Sequence, residues 1–232
     1  MRSDLTVYGF ALLAVAVAAL VAAGSRRPGV MLGIAVLTAV QLGLAYSGIL
    51  GQWNRTPPPM VLMLLVCFAI TVAFAFSRIG EEMAATLSYT ALIGVQAFRF
   101  PLELWMQHAS VERVIPRQMT YSGANLDIIS GLTAMVVAAV AARGLAPRRL
   151  LIGWNALGSL LLLNIIVIAV RSMPMINAYG DYRMNAHVAD APFVWLPGVL
   201  VQAALLGHLL VWRKLKIDAN LEDANLQTDS GV

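Results

Sequence analysis

The stretch ALIGVQAFRFPLELWM, residues 91–106, decides what kind of solvent this chain folds in. Apart from Gln96, Arg99 and Glu103 it is apolar, and it belongs to a run, Met83–Gln107, long enough to cross a bilayer as a helix. Arg99 and Glu103 are four residues apart and share a helix face, with Gln96 on the same face. Ionisable groups inside a membrane segment need a partner or a task. The pair therefore has two readings, a structural ion pair or part of a functional site. Pro101 lies between them, where it would remove the bond to the carbonyl of residue 97 and bend the helix. Membrane helices tolerate this where water or other groups satisfy the freed carbonyl, so a local polar cavity is expected.

Composition agrees with an apolar solvent. Hydrophobic residues make up 59% of the 232 and charged ones 12%, with a mean hydropathy of +0.76, whereas soluble domains run near 45–50% and about 25%. The net charge of +4 comes from basic residues scattered at segment ends. No basic patch with interleaved aromatics is present, and no nucleic-acid partner is expected. The single cysteine, Cys67, lies in an apolar run and cannot form an intrachain disulfide.

Roughly 20 apolar residues span a hydrocarbon core of about 30 Å. Seven stretches qualify: Val7–Ala23, Val30–Leu50, Met60–Ser77, Met83–Gln107, Leu126–Ala142, Leu150–Val170 and Phe193–Trp212. The breaks between them, such as SRRPG, QWNRTPPP and RGLAPRR, carry charge, Gly and Pro. The expected fold is an all-α polytopic bundle of about seven transmembrane helices over residues 1–216, followed by an acidic, disordered cytoplasmic tail over 217–232. The first stretch reads as a retained span, because Arg26 and Arg27 follow it directly. On alternate sides, Arg26, Arg27, Arg78, Arg143, Arg148, Arg149, Arg213, Lys214 and Lys216 oppose Arg2, Arg55, Arg113, Arg117, Arg171 and Arg183. The positive-inside rule then puts the N-terminus outside and the C-terminus in the cytoplasm.

With that topology the polar residues collect toward the outer side of spans four to seven, while spans one to three serve mainly as packing. Arg99, Glu103 and His108 fall in the outer half of span four, and Asn125 and Asp127 arrive at the start of span five. Asn125 reads equally as an N-cap, with Asp127 in the first turn complementing the helix dipole. Asn164 reads as a pocket residue or as an interhelical hydrogen-bonding group, Asn155 with Gly158 and Ser159 as packing. Pro197 should kink the last span, and Trp195 and Trp212 should lie at interfaces. His108 and His187 with Asp127, Glu103 or Glu112 have ligand types suited to zinc. Their spacing matches no metal motif, and no metal site or cofactor is expected. His208 falls toward the inner end and should hydrogen-bond to a neighbouring helix. Both lysines lie beyond the last span, which removes a retinal Schiff base, and no phosphate loop or nucleophile elbow is present.

Three groups of strings, QAFRFPLELW, then IPRQMTYSGANLDIISGL, and GWNALGSLLLLN with PFVWLPGVL, resemble those of a group of uncharacterised heptahelical bacterial integral membrane proteins. The likeness covers about residues 96–200 and rests on Arg99, Pro101, Glu103, Pro116, Met119, Thr120, Gly123, Asn125, Asp127, Pro192, Trp195 and Pro197. It implies the fold and a place in the inner membrane of a bacterium, and no activity. Two function classes stay open. One is binding or transport of a small polar or amphiphilic ligand in an outward pocket of Gln96, Arg99, Glu103, Asn125, Asp127 and Asn164, with Arg99 anchoring an anionic group. The other is a membrane-embedded enzyme acting on a lipid or lipid-linked substrate, with Glu103 or Asp127 as general acid or base and His108 assisting. Membrane lipids are the expected partners, and the sequence leaves the oligomeric state open.

Overall fold

A computed structural model describes residues 4–229, with side chains through residue 226. Nine α-helices, and no strand, occur among the described residues. Helices α1 (Asp4–Ser25), α2 (Pro28–Tyr46) and α3 (Pro59–Phe76) match the first three expected spans. Pro28 and Pro59 open their helices at the first turn, where the missing N–H has no intrahelical partner. All three are apolar around the whole circumference, leaving Leu12, Leu32 and Leu65 more than half exposed.

The fourth expected span is not one helix. Ser77 caps a short amphipathic helix, α4 (Arg78–Thr86), through Oγ to Gly80 N–H at 3.2 Å, and Ser88 caps α5 (Tyr89–Gly94) in the same way at Ala91. A 3₁₀ turn over Val95–Phe98 then leads into α6 (Arg99–Val111). Pro101 therefore sits in the first turn of α6, where it breaks no α-helical bond, and the expected bend is taken up by the tighter 3₁₀ winding ahead of it. Short α7 (Ile128–Ala142) and long α8 (Arg148–Arg171) follow. The last element opens with a π turn, Leu196–Leu200, that begins at Pro197's turn and continues as α9 (Val201–Asp229). The segment expected as a disordered tail is thus helical as far as Asp229, and residues 230–232 lie outside the described residues.

Five of these helices, α1, α2, α3, α8 and the π turn with α9, are long and apolar enough to cross a membrane; α7 is a shorter apolar helix. The bundle has two ends. Thr6 donates to Glu112 at 2.8 Å at what we call the Asp4 end, and Arg27 pairs with Glu82 at the opposite, Arg27 end. At the Arg27 end Arg213 closes α3 by donating to the carbonyls of Ala75 and Ser77 at 2.6 and 2.8 Å. Of three apolar clusters in the interior, two flank the site. Phe10, Leu102, Met106, Ile165 and Phe193 form one toward the Asp4 end, and Met83, Leu92, Val137, Trp154 and Leu210 the other. The polar side chains described next lie at the seam between them.

Candidate functional site

The loop between α6 and α7 is folded by its own sequence. Met119 and Thr120 end a 3₁₀ turn, Thr120 Oγ1 donates to the Arg117 carbonyl at 2.9 Å, and the chain doubles back through Gly123. A Cβ at Gly123 would stand 2.1 Å from the Arg117 carbonyl oxygen, so only glycine fits. This turn delivers Asn125, whose Oδ1 accepts from the Asp127 N–H at 3.0 Å and whose Nδ2 donates to the Met119 carbonyl at 3.0 Å. Asn125 is therefore not the N-cap of α7. Asp127 holds that position, but its carboxylate makes no cap bond and turns away from its own helix.

It turns toward Arg99. Arg99 Nε donates to Asp127 Oδ2 at 2.6 Å and Nη2 pairs with Oδ1, a bidentate bridge with Arg99 1% and Asp127 4% exposed. The ion pair expected within α6 is thus replaced by one between α6 and the start of α7. The helices meet closely there, since a Cβ on Gly131 would lie 2.3 Å from the Phe100 amide nitrogen. Arg99 Nη1 lies 2.8 Å from His208 Nε2. A guanidinium has no acceptor, so Nε2 accepts, the ring is neutral, and Nδ1–H donates to Asn155 Oδ1 at 2.8 Å. Asn155 Nδ2 returns a bond to the His208 carbonyl at 3.1 Å. Trp154 packs on the ring at 5.7 Å between centroids, and Gly158 leaves room for it. Every nitrogen of Arg99 is engaged.

Glu103 completes the group differently. Its Oε1 accepts from Asn125 Nδ2 at 2.6 Å, while Oε2 is buried without a hydrogen-bond partner. The side chain lies on the wall of a cavity of about 80 Å³ that Arg99 and Asp127 also line, several times the ~10–15 Å³ a single water needs. The remaining walls are almost wholly apolar, from Leu102, Met106, Ile165 and Leu200. Burial falls along this cavity. Arg99 and Glu103 are each 1% exposed, whereas Leu64, Phe68 and Ile166 are half-buried and Val170 is exposed. The lining thus includes both half-buried or exposed side chains of α3 and α8 and a group of buried ionisable side chains.

The other expected site residues are dispersed. Gln96 is fully buried against α9, donating to the Ala204 carbonyl at 3.2 Å, and does not line the cavity. Asn164 donates to the Ala124 carbonyl at 3.0 Å and tethers the loop to α8, again outside the cavity. His108 stands at the Asp4 end, 3.5 Å from Glu112, and His187 pairs with Asp190 at 2.9 Å. No group of three or more His, Cys, Asp or Glu side chains among the described residues could hold a metal ion. Two members of the network, His208 and Asn155, carry no sequence signal that ties them to Arg99. Nearness to Arg213 put His208 too close to one end; five residues of helix lift it about 7.5 Å, and the long Arg99 side chain reaches down to meet it. Asn155 and Asn164 lie seven residues from opposite ends of α8. The network thus occupies the middle of the bundle, deeper than the outer half in which it was expected.

No curated protein and no solved structure matches the chain. One family does, over residues 57–216, a range that contains α3 to α8, the Arg99–Asp127 bridge, Glu103 and the π turn. The chain belongs to the family described as a domain of unknown function (DUF8737).

Proposed function

We propose that the chain is a multi-pass integral membrane protein that binds an amphiphile carrying a hydrogen-bond-donating or cationic headgroup, taken up sideways from the bilayer between α3 and α8. The single observation that carries this reading is Glu103 Oε2, an unpartnered carboxylate oxygen on the wall of an otherwise apolar cavity. Buried polar atoms are nearly always satisfied, and an orphaned acceptor facing a space is where a donor from outside belongs. Arg99 was the expected anchor for an anion, but Asp127 and His208 occupy it. The open position of the site is a carboxyl oxygen and not a guanidinium nitrogen, so the ligand preference moves from an anion to a donor, an amine or a hydroxyl. The cavity of about 80 Å³ has room for the headgroup and the first carbons of such a molecule, its apolar walls suit those carbons, and the rest of the chain stays in the bilayer. In this reading α4 to α6 and α7 complete seven passes, with the Arg27 end in the cytoplasm of a bacterium.

The orphaned oxygen also supports an enzyme that works on such an amphiphile, with Glu103 as its general acid or base. Asp127 is committed to Arg99, and His108 does not line the cavity. Transport differs from both in releasing the ligand on the other side.

Thermal melting of the detergent-purified protein with oleylamine, oleyl alcohol and oleate tests the reading. Oleylamine should raise the melting temperature most, oleyl alcohol less and oleate not at all, and Glu103→Gln should remove the amine effect without lowering the unliganded melting temperature. Equal responses to all three, or an undiminished amine response in Glu103→Gln, would overturn it. Consumption of the bound amphiphile, followed by mass spectrometry, would identify the enzyme.

A further inference from the structure

A second cavity lies on the opposite face of the π turn from the first. It is a groove of about 1110 Å³ bounded by α1, α2, α3 and α9, above the ~300–1,000 Å³ typical of small-molecule sites. Its wall on α2 extends from Pro28 to Val40, about 18 Å of helix at 1.5 Å per residue. Half of a hydrocarbon core roughly 30 Å thick is about 15 Å. The groove therefore has the length of one leaflet's acyl chains.

Its chemistry is divided along that length. The polar groups within the wall are spent on the protein itself: Thr38 Oγ1 donates to the Ile34 carbonyl at 2.9 Å, Thr71 donates to Gln202 at 2.8 Å, and Gln202 donates to the Pro197 carbonyl at 3.0 Å. The interior offers nothing to a polar ligand. The mouth is basic. Arg27 lines it, Arg26 precedes Arg27, and Arg78 adjoins the lining residue Ile79. The nearby acids are already used, Glu82 by Arg27 and Glu81 by Arg213, while Arg26 and Arg78 are exposed and make no ion pair among the described residues. Basic pockets between helices recognise anionic lipid headgroups.

We propose that this groove holds the acyl chains of an anionic glycerophospholipid from the leaflet on the Arg27 side, with its phosphate at Arg26, Arg27 and Arg78. The proposal needs the membrane location but not the amphiphile at Glu103, whose cavity lies across the π turn. Gly29 and Gly33 make it testable. Both line the groove, and a Cβ added to either meets no atom within 4 Å, so a larger side chain fills the groove without displacing backbone.

Native mass spectrometry of the full-length protein, titrated with dioleoyl phosphatidylglycerol or dioleoyl phosphatidylcholine, reads the site. The unmodified chain should retain one phosphatidylglycerol at least several-fold more strongly than phosphatidylcholine. The double variant Arg26→Gln/Arg27→Gln should lose the preference, and Gly33→Leu should lose the bound lipid while keeping its melting temperature. Equal retention of both lipids by the unmodified chain, or a preference unchanged in both variants, would overturn the proposal. A dimer that Gly33→Leu dissociates would also overturn it, because a second copy would then cover the groove.

Discussion

Arg99 shows how much of a site a residue's type reveals and how little its spacing does. An arginine in an apolar helix had to be paired, and it is. Its partner is not the glutamate one turn away but Asp127, 28 residues on, because a bidentate fork needs a carboxylate facing it and the Gly123 turn supplies one. Glu103 is thereby released to Asn125 and the cavity. His208 and Asn155 were illegible as site members, since only the tertiary meeting of α6, α8 and α9 brings them to Arg99. Removing one partner of a buried ion pair strands the other charge, so Asp127→Asn should destabilise the protein by about 3–5 kcal/mol. Replacing both, Arg99→Met with Asp127→Leu, should recover most of that loss, as buried pairs often contribute little net stability over apolar residues of similar volume. Denaturation in detergent micelles measures both. A double variant as unstable as Asp127→Asn would mean that the bridge contributes more than mutual neutralisation.

At the level of elements, the long uninterrupted apolar spans are readable to within a few residues, as α1, α2, α3 and α8 show. Hydropathy could not detect the interruptions at Leu87–Ser88 and Val95–Phe98, because serine caps and a 3₁₀ turn change the winding without changing the composition. It also overlooked the groove between α2 and α3, where packing was expected. The α6–α7 crossing depends on Gly131, which faces backbone, whereas Gly207 on α9 faces the side-chain amide of Gln96, 1.9 Å from where its Cβ would be. Backbone cannot give way as a side chain can. Gly131→Ala should therefore cost more than the ~1–3 kcal/mol usual for overpacking, and Gly207→Ala less than Gly131→Ala. Comparing the two melting temperatures checks the order, and a reversed order would place the critical contact on α9.

For the whole molecule, the distribution of Lys and Arg predicts that the 143–147 connection faces the cytoplasm and the 172–195 loop the other side. Leu145 and Tyr182 are exposed in these two segments, and Cys67, the only native thiol, is buried. In intact cells a membrane-impermeant maleimide should label Tyr182→Cys, and should label Leu145→Cys only after permeabilisation; labelling of both from one side would remove the seven-pass topology. Sideways access to a carboxylate at mid-depth is the central claim, because it joins the cavity's rim, its apolar walls and Glu103 in one route. An oleylamine analogue with a diazirine in its chain, crosslinked in membranes and mapped by peptide mass spectrometry, tests it most directly. Labels are expected at Leu64 or Phe68 on α3 and Ile166 or Val170 on α8, displaced by oleylamine and lost in Glu103→Gln. Labels spread evenly over the exposed apolar helices, and unchanged by Glu103→Gln, would contradict it.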